Sequence, residues 1–272
     1  MQIKFKMLII ALLCQFVSYA GADGERPRLN VWVHGTTIRA AVPVKLAKFH
    51  YSTKLIHSSE LVVNRGACPR AEALSNSDPI DFPFDSFYLF RWSGLLNHKE
   101  RKTVAYELYQ ALVAKITEIV EQTGQNPIVT IITHSHGGNL ALYLAKINES
   151  LQGSLKIDRL ILLACPVQQD TAKLVDDVIF DKVYAFYSTY DLVQVAALQM
   201  QKFFKPAARK FIKFSNGNKV VHVKTSWKKR GLWHNEFKCL SFLVKLPVAL
   251  KQIDQVILQP NWNYNQDYDL VL

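Results

Sequence analysis

Cysteine is scarce in this chain, with four residues among 272. Cys14 falls in an apolar N-terminal run, which leaves Cys68, Cys165 and Cys239 for the folded part. Three thiols can form no more than one disulfide, and this excludes a small fold stapled by several bridges. Cys165 closes an apolar run, so we expect it to be a buried small hydrophobic residue.

The sequence also lacks the glycine-rich motifs that bind phosphate groups or dinucleotides. It contains no internal repeat, low-complexity tract or Gly/Ser linker. Hydrophobic residues make up 49% and charged residues 20% of the chain, which is typical of a globular protein and excludes a disordered one. We therefore expect a single domain over residues 21–272 that uses no cofactor.

Carboxylates are absent between Asp191 and Glu236, in a chain whose formal net charge is +11. The cationic residues of this stretch are Lys202, Lys205, Arg209, Lys210, Lys213, Lys219, Lys224, Lys228, Lys229 and Arg230. Within residues 195–214 the first five alternate with apolar side chains, namely Phe203, Phe204, Phe211, Ile212 and Phe214. Rings can enter a lipid boundary while cations meet anionic head groups, so the pattern predicts peripheral contact with an anionic membrane surface. A nucleic acid is the less favoured partner.

Residues 1–20 have the organisation of a secretory signal. Lys4 and Lys6 precede a short apolar run, and Ser18 and Ala20 supply the small residues of a cleavage site. Cleavage after Ala20 removes two cations and no carboxylate, which leaves 11 − 2 = +9. The run is short for a membrane span, so we predict a secreted or envelope-associated protein, with an uncleaved anchor as the alternative.

Alternating strand and helix patterns predict an α/β fold, a mostly parallel sheet with helices on both faces. The six predicted strands are residues 29–33, 87–91, 128–134, 159–165, 183–188 and 220–223. A helix is predicted over residues 99–122, closed by Gly124. Residues 38–86 form a long insertion after the first strand, and we expect them to form the wall or lid of a substrate pocket.

The most informative segment joins the third strand to the next helix. It reads Thr133-His134-Ser135-His136-Gly137, after a β-branched apolar run and before apolar residues at helical spacing. A serine at such a junction is typical of a nucleophile elbow, a strained turn that exposes the hydroxyl above the sheet. The segment resembles the G-x-S-x-G elbow of the α/β-hydrolase family, in particular of its lipase-like members. Thr133 stands where the family has glycine, and its branched side chain is expected to crowd the turn.

This resemblance implies a fold and part of a site. The six predicted strands correspond to the family's core without its first two strands. Ser135 is implied as the nucleophile and the backbone N–H of His136 as one oxyanion donor. His34-Gly35, after the first strand, resembles the His-Gly of lipase oxyanion loops, so the N–H of Thr36 is implied as the second donor.

In this family the acid and the histidine follow the serine along the chain. Asp191, after the fifth strand, is the predicted acid, and Asp170, after the fourth strand, is its rival. A strand-terminal aspartate can instead cap the next helix. His234 lies in a loop after the last strand and is the predicted general base, whereas His222, inside that strand, is expected to be structural.

His134 and His136 could instead form a metal-binding pair, because alternate residues of a strand share a face. No carboxylate or cysteine nearby in the sequence completes a ligand set, so we expect no metal. The resemblance implies a serine hydrolase that cleaves carboxylic esters, with lipid esters as the expected substrates. A thioesterase, an amidase or an acyltransferase could use the same residues. A non-catalytic lipid- or protein-binding member of the fold is the alternative of another class.

Overall fold

The structure, a computed structural model, describes residues 26–36, 53–63, 68–95, 98–196, 208–211, 219–228 and 230–272. The predicted signal 1–20 lies outside these ranges, as do residues 38–52 of the insertion and most of residues 195–214. Signal cleavage and export therefore stay predictions. Within the described ranges, none of the helices combines the length and the apolar composition that a membrane span requires.

One sheet runs through the described part of the chain. Its strands are β1 (Arg28–Val33), β2 (Leu55–His57), β3 (Phe87–Phe90), β4 (Ile128–His134), β5 (Ile157–Leu163), β6 (Phe180–Tyr187), β7 (Val220–Trp227), β8 (Arg230–Gly231) and β9 (Tyr268–Val271). Their spatial order is β2-β3-β1-β4-β5-β6-β7-β8, and β9 also pairs with β7. Neighbours are parallel except for β2 against β3 and β8 against β7. The predicted parallel sheet is confirmed, and β2, β8 and β9 add to its six predicted strands.

The central strands are apolar along most of their length because both faces of the sheet are covered. In β4, Val129 and Ile131 belong to the core on one face and Ile132 to the core on the other. All three side chains are buried. β-branched residues favour this extended, two-sided packing, which explains why the run could be predicted as a strand.

Helices cover both faces of the sheet, as predicted. They are α1 (Cys68–Ser77), α2 (His98–Thr123), α3 (His136–Leu142), α4 (Leu144–Ser150), α5 (Leu192–Ala196), α6 (Leu240–Leu243) and α7 (Leu246–Ile257). Side chains of α2, α3 and α4 pack with Val31 and Ile131 on one face. Side chains of α1, α6 and α7 pack with Trp32 and Ile132 on the other. The long predicted helix is α2, and Gly124, with φ 71°, follows its last residue in the left-handed conformation that ends many helices.

The described part of the insertion 38–86 belongs to the body of the fold. β2 extends the sheet beyond β3, and α1 packs on α6 and α7. The Ser77 hydroxyl donates a hydrogen bond to the Val244 carbonyl at 2.6 Å, which ties α1 to the turn between α6 and α7. This part of the insertion supports the sheet. The wall or lid of a pocket stays a prediction, and residues 38–52 and 64–67 of the insertion lie outside the described ranges.

The three cysteines of the described chain are free thiols, so they form no disulfide with one another. Cys165 lies two residues after the end of β5 and is buried, as expected for a small hydrophobic residue. Burial raises the pKa of its thiol to about 12, which keeps the sulfur protonated and unreactive.

Candidate active site

The predicted site residues lie at the carboxyl ends of the parallel strands. Because β1 lies between β3 and β4, the chain turns in opposite directions along the sheet on either side of β1. Open α/β sheets usually bind ligands in the crevice at such a switch point. Thr36 follows β1 and Ser135 follows β4, on the two sides of this crevice. Asp191 follows β6, and His234 follows the β7–β8 hairpin.

Ser135 occupies a strained turn between β4 and α3. Its backbone has φ 54° and ψ −132°, a conformation that residues with a Cβ rarely adopt. Holding a residue in such a conformation costs on the order of 1–3 kcal/mol, which the surrounding fold must offset. The Ser135 N–H donates to Leu163 O at 2.9 Å, and the Gly138 N–H donates to Ser135 O at 3.0 Å. The sharp strand-to-helix turn is therefore present at this serine.

Thr133 is compatible with this turn, although its branched side chain was expected to crowd it. The residue is fully buried in β4, and its hydroxyl donates to Ile161 O of β5 at 3.3 Å. The side chain is thus accommodated between strands rather than inside the turn. Glycine is not required at the first position of the motif in this chain.

Glycine is required at two other positions, where the end of β1 meets the turn. A Cβ on Gly137 would lie 2.6 Å from the carbonyl oxygens of Val33 and His34. A Cβ on Gly35 would lie 2.7 Å from the Cβ of Ser135. Both distances are too short for any side chain, so the two glycines allow the loop that carries Thr36 to approach the serine.

His34 is held in place by Trp92, a residue that the sequence reasoning did not single out. The two rings stack with centroids 5.7 Å apart, and the Trp92 indole N–H donates to His34 O at 2.7 Å. The His34 Nδ1–H donates to Gly35 O at 2.7 Å. Burial lowers the pKa of His34, which favours this neutral form. The sequence signal was available, because Trp92 follows β3, the parallel neighbour of β1.

Asp191 and His234 form a hydrogen-bonded pair. The Nδ1–H of His234 donates to Asp191 Oδ2 at 2.8 Å, and the aspartate side chain is fully buried. The other carboxylate oxygen, Oδ1, accepts the backbone N–H of Gln194 at 3.0 Å. Asp191 therefore caps α5 and orients the histidine at the same time, so the two interpretations of this aspartate do not exclude each other.

The serine and the histidine are not joined directly. Among the hydrogen bonds of the described residues, none connects the Ser135 hydroxyl to His234. The ring of His134 lies beside that of His234, with centroids 4.8 Å apart. Hydrogen bonds between catalytic groups are often long without substrate and shorten when it binds.

Asp170 and His222, the other two candidates, have different partners. The Tyr143 hydroxyl donates to Asp170 Oδ2. Burial lowers the pKa of the nearby Arg101, and the charge of Asp170 partly opposes that lowering. His222 Nε2 accepts the backbone N–H of Phe211 at 3.1 Å. Asp170 thus interacts with Tyr143 and Arg101, and the contact of His222 fits the structural role predicted for it.

The two histidines that flank Ser135 are held neutral. Burial, followed by the charge of His234, lowers the pKa of His134 to about 3. Burial, followed by the charge of Arg101, lowers the pKa of His136 to about 3. The Arg101 guanidinium donates to His136 Nδ1 at 2.9 Å, while His134 faces the carbonyl of His234. The two rings therefore turn toward different partners instead of sharing one ligand position.

Because these two rings are buried in the neutral form, we expect the stability of the fold to fall in acid. Their pKa lies below the ordinary value of 6.5, so between about pH 6.5 and 3 the unfolded chain binds more protons than the folded one. The stability that the neutral rings contribute is complete above pH 6.5 and is lost as the pH falls toward 3. At pH 5 the loss is about 2 kcal/mol for each ring. Chemical denaturation at pH 7.5 and pH 5 measures the free energy of unfolding that is lost between the two. The loss should be smaller in the double variant His134→Gln with His136→Asn than in the wild type, and equal losses would contradict the prediction.

In the basic segment 195–214, the described residues Arg209, Lys210 and Phe211 contact other parts of the chain. Arg209 Nη2 donates to the carbonyls of Thr189 and Asp191, both at 3.1 Å. Lys210 pairs with Asp267 at 3.1 Å. Phe211 is buried and stacks on a histidine ring of β7. Arg209 therefore braces the loop that carries Asp191, whereas Lys210 stays half-exposed at the surface. Lys202, Lys205 and Lys213 lie outside the described ranges, so the membrane contact stays a prediction.

No family model and no curated protein matches this sequence. Similar solved structures include one described as "Structure of arylesterase", which is 10% identical with a TM-score of 0.44 over 86% of this chain and 77% of that one. A hyperthermophilic esterase from the archaeon Pyrobaculum calidifontis is 13% identical with a TM-score of 0.42, over 87% of this chain and 77% of that one. With TM-scores below 0.5, these likenesses assign no residue a role.

Proposed function

We propose that the protein is a serine hydrolase that cleaves carboxylic esters. The observation that carries the proposal is the strained turn at Ser135, on the sheet edge that also holds the buried Asp191–His234 pair. A fold that maintains a strained serine must offset its cost, and such strain is concentrated at functional sites. A histidine oriented by a buried carboxylate is the general base that an acyl-transfer serine needs.

The reaction follows from these groups in two halves. The Ser135 hydroxyl oxygen attacks the ester carbonyl carbon while Nε2 of His234 takes the hydroxyl proton. Asp191 keeps the proton on Nδ1 of His234 and stabilises the imidazolium that forms. When the tetrahedral intermediate collapses, the C–O bond to the alcohol breaks and the imidazolium returns its proton to the departing alkoxide. Water then attacks the acyl-serine by the same route and releases the carboxylic acid.

The negative charge on the former carbonyl oxygen needs donors that are already in place. The backbone N–H groups of Thr36 and His136 are the proposed pair, on the two segments that Gly35 and Gly137 allow to approach. Removing one such donor from an acyl-transfer enzyme costs about 10²–10³-fold in turnover. The neutral state of the ring of His136 means that no second imidazolium opposes the one formed on His234.

Lipid esters are the proposed substrates because apolar side chains border the Asp191–His234 pair. Tyr190 and Trp233 precede these two residues, their rings meet edge to face at 6.5 Å, and both are about half exposed. Leu192 and Val193 follow the aspartate and are 61% and 55% exposed. We call these four residues the apolar rim. Exposed apolar groups around a site favour an apolar ligand, since binding removes them from water.

Peripheral contact with an anionic membrane would bring such a substrate to the site. Lys202, Lys205, Lys210 and Lys213 are the cations proposed for it. Arg209 is left out because it donates to the Asp191 carbonyl, whereas Lys210 is half-exposed. Each cation near an anionic surface contributes on the order of 1 kcal/mol. Nucleic acid is the less favoured partner for the same charges.

Labelling with a fluorophosphonate probe tests the proposed function. We expect one adduct per chain, located on Ser135 by mass spectrometry of the digested protein. We expect hydrolysis of a series of p-nitrophenyl esters, with kcat/KM rising with acyl chain length because of the apolar rim. If the protein is neither labelled nor active on any ester, the proposed enzymatic activity is contradicted and a non-catalytic binding protein of this fold is favoured. If the serine is labelled but thioesters or amides are turned over faster than esters, Ser135 remains the nucleophile and the proposed substrate class changes.

A further inference from the structure

His134 occupies a position between the two halves of the proposed site. It is the last residue of β4, directly before Ser135, and it is almost completely buried. Its Nε2 lies 2.9 Å from the backbone carbonyl oxygen of His234. On the other side, a Cβ added to Gly35 would lie 3.2 Å from its Nδ1. One ring thus separates the loop after β1 from the loop of the general base.

The hydrogen bond to the His234 carbonyl defines the tautomer of the His134 ring. A carbonyl oxygen can only accept, so Nε2 of His134 carries the proton and donates it. The pKa near 3 keeps the ring uncharged over the range in which histidines usually titrate, and the donor is therefore permanent. Its remaining nitrogen, Nδ1, carries a lone pair, but with a pKa near 3 this ring is too weak a base to take the proton of the serine.

The contact joins two parts of the chain that are 100 residues apart in the sequence. At one end, His134 is bonded covalently to the serine. At the other end, it holds the main chain of His234, whose ring is held separately by Asp191. Asp191 thereby fixes the side chain of the general base, and His134, the neighbour of the nucleophile, fixes its backbone.

We propose that His134 is a positioning residue that sets the separation between Ser135 and His234 through its hydrogen bond to the His234 carbonyl. The inference rests on the proposed function, and it adds a second requirement to this position: the ring must stay neutral. A charged group here would lie beside the imidazolium that forms on His234 during each half of the reaction.

Three variants separate the donor from the bulk of the side chain. His134→Gln places an amide N–H at the position of Nε2, His134→Asn is too short to reach the carbonyl, and His134→Phe keeps a ring without a donor. We expect kcat to fall about tenfold in the Asn and Phe variants, as for one lost hydrogen bond, while KM changes little. The Gln variant should retain kcat within about threefold of the wild-type value.

The controls distinguish this inference from the proposed function. His222→Asn changes another buried histidine and should leave kcat unchanged, since His222 lies outside the proposed machinery. If Gln and Phe lose kcat equally, or if kcat falls only in proportion to the folded fraction measured by calorimetry, the positioning role is overturned. If the Phe variant does not fold, the Gln and Asn pair makes the same comparison. Absence of fluorophosphonate labelling in the wild type would overturn the proposed function itself.

Discussion

Replacing Ser135 by alanine is expected to abolish ester hydrolysis and probe labelling, with a loss of turnover on the order of 10⁴–10⁶-fold. The proposed reaction has no substitute for the serine oxygen, because the new ester bond forms on it. The free energy of unfolding should be nearly unchanged, since alanine keeps the Cβ and the positive φ of this turn. Turnover of a chromogenic ester and denaturant unfolding measure the two quantities on the same preparations.

Ser135→Gly provides a control with the opposite effect on stability. It also removes the oxygen and should be equally inactive. Glycine adopts positive φ without strain, so the free energy of unfolding should rise by about 1 kcal/mol even after its larger loss of backbone entropy. Inactivity combined with greater stability would separate loss of the nucleophile from damage to the fold. Substantial turnover in either variant would remove Ser135 from the mechanism.

Asp191→Asn should lower kcat by about 10⁴-fold, as expected when the general base is held in the wrong tautomer. The Gln194 N–H already occupies one oxygen position of this side chain and requires an acceptor there. The amide NH₂ of the asparagine must therefore face His234 Nδ1. That donor forces the histidine proton onto Nε2. A protonated Nε2 can no longer accept the proton of the serine. Steady-state kinetics on a soluble ester measures the loss.

Asp170→Asn is the matched comparison, since it makes the same chemical change after the preceding strand. Its carboxylate accepts from Tyr143 and offsets the charge of Arg101, so we expect kcat to change by no more than about threefold. Stability should fall instead, because a buried cation loses a compensating charge. If the Asp170 variant were the less active of the two, the acid would have to be assigned to the earlier strand.

The fold could be predicted from sequence because its central strands bury both faces. The run over residues 128–134 is mostly apolar and β-branched and follows turn residues, which is typical of a buried strand. β2, β8 and β9 have two to four residues each, too few for any periodicity, and they were not predicted. The helix α1 was missed because it lies in a stretch that carries proline and glycine and has a weak apolar face.

The candidate site could be predicted in part. The order of Ser135, Asp191 and His234 along the chain was enough to nominate them, and the structure brings the last two into contact. The contacts that support them could not be derived, because the partners are far apart in sequence. Arg101 reaches His136 across 35 residues, and His134 reaches the His234 carbonyl across 100. Spacing alone carries no information about such pairs.

Short edge strands have a consequence for how the protein behaves in concentrated solution. In the described part of the chain, the sheet ends in the three residues of β2 on one side and in the brief strands β8 and β9 on the other. A long bare edge would offer rows of N–H and C=O groups on which a second molecule could add its own strand and begin to aggregate. Here that template is only a few residues long. The molecule can therefore expose the apolar rim beside the proposed site without also presenting a long edge that other copies would extend.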